Sequence, residues 1–163
     1  MRSDVTLLRD FCTEFGFYYY QTRESLDFQN LIDDAFNGVY CIHAQGRMSI
    51  IQNADTGFIN GKRYTGRVYF GIPSNIDGVI DSDKYDKFVY NIDRLEIEKL
   101  LIAYFCKDYV FNITTAQPFY NLFALNFDGI SFDYDVEIIG KSDLTAAQKE
   151  YFISNGTLDG YIP

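Results

Sequence analysis

The first fifteen residues repeat at helical spacing. Val5, Leu7, Leu8, Phe11, Cys12 and Phe15 recur at three- and four-residue intervals, Ser3 or Asp4 stands at the cap, and Gly16 stops the run. Phe17-Tyr18-Tyr19-Tyr20-Gln21-Thr22 reads as an aromatic strand, and a short helix is predicted from Ser25 to near Phe36. Val39–Ala44 is a strong strand, and Met48–Ile51 can pair beside it. Asn53–Gly57 and Asn60-Gly61 carry turn chemistry. Asn60-Gly61 suits a type I′ hairpin, because both residues tolerate positive φ. A long strand over 62–72 follows, in which Gly66 and Gly71 mark bulges or close backbone approach.

After a loop over 73–82, the pattern predicts the longest helix, roughly 83–106. Tyr85, Phe88, Ile92 and Leu95 share one stripe, but Ile97, Leu100, Leu101 and Tyr104 then move around the cylinder. Such a helix is either bent or buried over a wide face. Strands are predicted at Tyr109–Thr115, Phe119–Asn126 and Gly129–Ile139, with Asp128-Gly129 as the turn before the last. That last strand alternates strictly. Ile130, Phe132, Tyr134, Val136 and Ile138 face the core, and Ser131, Asp133, Asp135 and Glu137 face water. The domain therefore spans 1–140. Residues 141–163 form a C-terminal arm, with a short helix over Leu144–Lys149 and an extended end. Tyr151, Phe152 and five further large apolar residues make the arm too apolar for a free tail. It docks either on its own subunit or, as we expect, on a neighbour.

Composition narrows the function. At 47% hydrophobic and 23% charged residues, the 163-residue chain can bury about 70% of its surface, which excludes wholesale disorder. Fourteen Tyr and fifteen Phe make it rich in aromatics. A net charge of −9 makes it a poor non-specific DNA binder. Three cysteines with no Cys-x-x-Cys pair read as thiols in a reducing compartment. The start of the chain lacks the apolar run of a signal peptide, and no stretch is long enough to cross a membrane.

The sequence shows no catalytic constellation. Gly140-Lys141-Ser142 lacks the upstream glycine of a phosphate loop. His43 is the single histidine, and a Cys41/His43 pair supplies two ligands where structural zinc wants four. Neither metal nor cofactor is expected. Tyr18-Tyr19-Tyr20 reads as a core or interface strand ahead of a base-stacking platform, because Arg23 is its only basic neighbour. The acidic row Asp133/Asp135/Glu137 is open to three uses: a solvated face, a cation or acid–base site, or a surface that lines a channel or meets a basic partner.

The order of elements resembles the tail-terminator and tail-completion proteins of tailed bacteriophages, in particular those of Bacteroides-type bacteria. The resembling pieces are the Leu7–Phe15 helix, Phe17-Tyr18-Tyr19-Tyr20, Tyr64-Thr65-Gly66-Arg67-Val68, Asn75-Ile76-Asp77 and the segment from Leu125 to Tyr134. They cover roughly residues 3–140. The resemblance implies an α+β fold, a small mixed, mostly antiparallel sheet with two main helices packed on one face. It also implies a non-enzymatic virion protein that forms a six-fold or twelve-fold ring at the head–tail junction or tail end. Its partners would be itself and other neck or tail proteins, with DNA only passing through a lumen and no membrane contact. Assembly would take place in the host bacterial cytoplasm. In such a ring Asp133, Asp135 and Glu137 are expected to meet Arg63 and Arg67 of the adjacent subunit, head to tail, or else to line the lumen. Two rivals stay open: an acidic monomeric inhibitor or DNA mimic that binds a basic partner, and a metal-dependent hydrolase built on the acidic row.

Overall fold

The computed structural model describes residues 3–21, 38–73, 85–122 and 127–139. Helix α1 spans Asp4–Phe15. Its N-cap is Ser3, whose hydroxyl accepts from the Thr6 amide, while the Thr6 hydroxyl accepts from the Ser3 amide. Gly16 ends the helix in the left-handed region at φ 73°. Strands β1 (Tyr18–Gln21), β2 (Tyr40–Gln52), β3 (Ile59–Pro73), β4 (Val110–Phe119) and β5 (Phe127–Ile139) form one sheet in the order β1-β2-β3-β5-β4. The β1/β2 pair is parallel and the other three are antiparallel. This is the α+β fold expected: a small mixed sheet, mostly antiparallel, with helices on one face.

Both helical segments bury their apolar sides on that face. Leu7, Leu8, Phe11 and Cys12 of α1 meet Cys41, Val68, Phe70, Phe132 and Tyr134 of the sheet. Phe132, Tyr134, Val136 and Ile138 are at most 3% exposed and Ile130 is 7% exposed, so the inward set read from the alternation of β5 holds, but Ser131, expected to face water, is buried and donates to the Gln117 carbonyl. On the opposite face a smaller cluster of Tyr40, Ile42, Phe119 and Phe127 occupies one end of the sheet.

Four expectations are corrected. The helix over 83–106 is broken into a π-helical turn, Tyr85–Val89, then α2 (Tyr90–Asp93) and α3 (Ile97–Phe105). Ile92 and Ile97 are both buried, yet five residues of straight helix would rotate them about 140° apart. The chain resolves this at Glu96, which takes the left-handed conformation at φ 50° and lets α3 start on a new axis. The β2–β3 turn lies at Asn53–Phe58, not at Asn60-Gly61. The Asn53 side chain accepts from the amides of Asp55 and Thr56 at 2.8 and 3.0 Å, a local turn that competes successfully with Asn-Gly. Gly61 is inside β3, where a Cβ would run into the Ile138 carbonyl. Asp128-Gly129 is likewise within β5, paired to Ile72 and Gly71. Finally, β4 runs on through Val110–Phe119, past the end expected at Thr115; the second strand expected over Phe119–Asn126 is absent at Tyr120–Leu122, and its residues 123–126 lie outside the described residues. The edge position of β4 lets Pro118 sit within it, and a bulge falls at Thr114.

The predicted helix at Ser25–Phe36, the loop at 74–82, the arm at 141–163 and its residues Tyr151 and Phe152 lie outside the described residues.

Candidate functional site

The acidic row is where the alternation of β5 placed it, on the sheet face away from the helices. Its partners are on the next strand of the same chain. Arg67 is registered opposite Asp133, and Arg63 opposite Glu137. Arg67 Nε donates to Asp133 Oδ1 at 2.6 Å and Nη2 to Oδ2 at 3.2 Å. The Thr115 hydroxyl on β4 donates to Asp133 Oδ2 at 2.6 Å. Arg63 Nε lies 3.3 Å from Asp135, and its Nη2 pairs with Glu137. The Arg67 hydrogen bonds hold the Asp133 carboxyl below its usual range. The pairing expected between subunits is thus made within one chain. Two guanidiniums answer three carboxylates, so the row presents a nearly neutral ladder. Among the described residues, no cluster of three or more His, Cys, Asp or Glu side chains is placed to hold a metal ion.

A second polar cluster lies on the helix face, and sequence reasoning missed it. Asp4, the first residue of α1, and His43 of β2 are both fully buried. Tyr134 of β5 donates its hydroxyl hydrogen to Asp4 Oδ2 at 2.5 Å. The Tyr134 hydroxyl oxygen lies 2.6 Å from His43 Nε2 and, its own hydrogen being given to Asp4, accepts there, so the ring proton belongs on Nε2. His43 Nδ1 then accepts from the Tyr19 hydroxyl of β1 at 2.7 Å. Gln45 Nε2 donates to Asp4 Oδ1 at 2.9 Å. Burial lowers the His43 pKa to about 4, against the opposing pull of the Asp4 carboxylate. Burial also raises the Tyr19 and Tyr134 hydroxyls, with Asp4 adding to the rise. His43 therefore stays neutral, with both ring nitrogens occupied and no lone pair for a substrate. The cluster ties α1 to three strands.

Gly66 makes this network possible. It lies on β3, between Gln45 of β2 and Tyr134 of β5. Tyr134 must cross β3 to reach His43. A Cβ on Gly66 would stand 2.6 Å from the Tyr134 hydroxyl oxygen and 2.9 Å from Cζ. The close approach expected at this glycine is therefore a side chain passing over it.

Two surface features remain. A groove of about 400 Å³ runs between the α2–α3 segment and β4. Its walls include Ile102, Ile113, Pro118, Ile130 and Phe132, with the carboxylates of Asp93 and Glu98 alongside. Far from it, the β2–β3 hairpin carries Met48, Ile50, Phe58 and Ile59, which are 42–56% exposed. Strand periodicity alone does not reveal this exposure, because it does not say where a helix layer ends. Among the described residues, no helix is long and apolar enough to cross a membrane. No protein family matches this chain, and no curated protein matches it in sequence.

Proposed function

We propose that this chain is a structural protein that acts through its surfaces, as a subunit of an oligomeric ring at the head–tail junction or tail end of a tailed bacteriophage, assembled in the bacterial cytoplasm. It performs no bond-making step. Its partners are further copies of itself, in six-fold or twelve-fold array, and neighbouring neck or tail proteins. DNA only passes through the lumen.

The observation that carries this reading is the exposed apolar hairpin. Met48 and Ile50 on the outer half of β2, and Phe58 and Ile59 at the turn and the start of β3, are exposed on this one hairpin, and Ile139, opposite Gly61 on the other sheet face, is 60% exposed. Scattered apolar residues on a surface need no explanation, but we take several large ones exposed on a single hairpin as support for an interaction surface. The polar residues that a catalytic reading would need are tied up in fixed pairs. The neutralised ladder also weakens the DNA-mimic rival, because its carboxylates already have cations. The test is electron microscopy of the purified chain in negative stain. Annular particles of uniform symmetry are expected. Isolated single subunits, with salt-sensitive binding to a basic protein, would favour the inhibitor instead.

A further inference from the structure

We propose that Cys12 and Cys41 are a dithiol pair that closes to a disulfide and locks α1 onto the sheet, a modification site inside the core.

The sequence presents three separate thiols, and the fold brings two of them together. Cys12 lies near the C-terminal end of α1, and Cys41 lies at the start of β2, 29 positions further on. Both are fully buried in the main core. Their side chains are in hydrogen-bond contact with each other. Two backbone hydrogen bonds help to fix that meeting. The Phe17 amide donates to the Cys12 carbonyl at 2.8 Å, which holds the end of α1 beside the start of β1. The Tyr18 amide donates to the Val39 carbonyl at 2.9 Å, and β1 then runs beside β2 with Tyr19 opposite Cys41. Both cysteines are free thiols in this structure. Cys106, exposed at the end of α3, stands outside the pair.

Closing the pair breaks two S–H bonds and forms one S–S bond. The two electrons and two protons pass to the oxidant, a low-molecular-weight disulfide such as oxidised glutathione, which leaves as two thiols. Burial pushes the Cys41 thiol well above its ordinary range, and the Cys12 contact adds to the rise. Thiolate is therefore scarce while α1 is seated, and the exchange runs through local opening of this N-terminal helix. An S–S bond of about 2.05 Å is shorter than the thiol contact it replaces, so α1 draws toward β2 as it closes. The closed bond also restricts the unfolded chain between the two cysteines, which favours the folded state. The timing alone rests on the virion reading: a chain made where thiols stay reduced and released in a particle closes the bond after assembly.

The test is a thiol–disulfide equilibrium on the full chain carrying Cys106→Ser, which removes the exposed thiol. The protein is equilibrated with one mixture of oxidised and reduced glutathione, in buffer and in urea that unfolds it. Free thiols are then alkylated and the masses read. The closed pair resists alkylation and is about 2 Da lighter than the reduced chain, the two hydrogens lost. Its ratio to the open pair should be at least about tenfold higher in buffer than in urea, because the folded chain holds the sulfurs together. Digestion should yield one peptide pair joined through Cys12 and Cys41. The closed chain should melt roughly 3–10 °C above the same chain in reductant. If Cys106→Ser loses the melting transition, the wild type replaces it and the joined peptides give the ratio. An equal or lower ratio in buffer, a folded chain that yields only glutathione adducts, or a closed chain that melts below the open one overturns the proposal. A chain that closes the bond but never assembles leaves the disulfide standing and removes only the ring reading and the timing drawn from it.

Discussion

Replacing Tyr134 with Phe removes one oxygen and no carbon, so it opens no apolar cavity. It takes the acceptor from the His43 Nε2 proton and a donor from Asp4 Oδ2, both in fully buried side chains. Leaving a buried polar group unsatisfied costs about 1–3 kcal/mol, and a hydrogen bond to a charged acceptor lies at the upper end of net contributions. The two losses share one hydroxyl, so the expected destabilisation is about 3 kcal/mol. For a chain of 163 residues that corresponds to a fall in melting temperature of roughly 6–12 °C. Urea and thermal unfolding of Tyr134→Phe measure it. Pairing the change with His43→Phe gives a double-mutant cycle in which the two losses should be strongly non-additive, since the second change removes a group already orphaned. A loss under about 0.5 kcal/mol, or simple additivity, would refute the assignment of this hydroxyl as the centre of the network.

Two further outcomes follow from the same cluster. Gly66→Ala should destabilise by roughly 1–3 kcal/mol through overpacking against Tyr134, and the penalty should shrink in the Tyr134→Phe background; an equal penalty in both backgrounds would contradict the crossing geometry. His43 titrates at about 4 when folded against 6.5 when free, so between those values the unfolded chain binds a proton that the folded chain does not. Stability should therefore fall as pH drops from about 6.5 to 4, by about 3 kcal/mol, and His43→Gln should flatten that slope. Asp133, whose carboxyl is held low by Arg67, adds its own loss only at more acid pH, so the region from pH 6.5 to 5 isolates the histidine.

Where one residue's neighbours in sequence decide its place, the pattern was legible. The strict alternation from Ile130 to Ile138 identified a strand with one buried face. Ser3 and Gly16 bracketed α1 through local capping chemistry. Legibility stopped where distant strands supply the constraint. Gly61 and Gly129 look like turn residues, but their missing side chains answer to the backbones of β5 and β3 crossing close by. The drift of apolar positions through 85–104 carried a trace of the break at Glu96, yet only burial against the sheet shows that the axis changes there. For the acidic row, the carboxylates and the two arginines were each identified, but strand register alone brings Arg67 to Asp133 within one chain. The Asp4–His43–Tyr134 cluster had no local signal at all. Asp4 resembles a helix cap, His43 a core histidine and Tyr134 one more inward aromatic. Only the order β1-β2-β3-β5 sets them side by side.

The central claim, that this chain works as a ring built from its own exposed surfaces, is tested most directly by its mass in solution. Light scattering on the purified protein, followed across a concentration series, should converge on six or twelve times the 18.9 kDa chain mass. A value that stays at one chain mass across the whole series, at low salt as well as high, would contradict it.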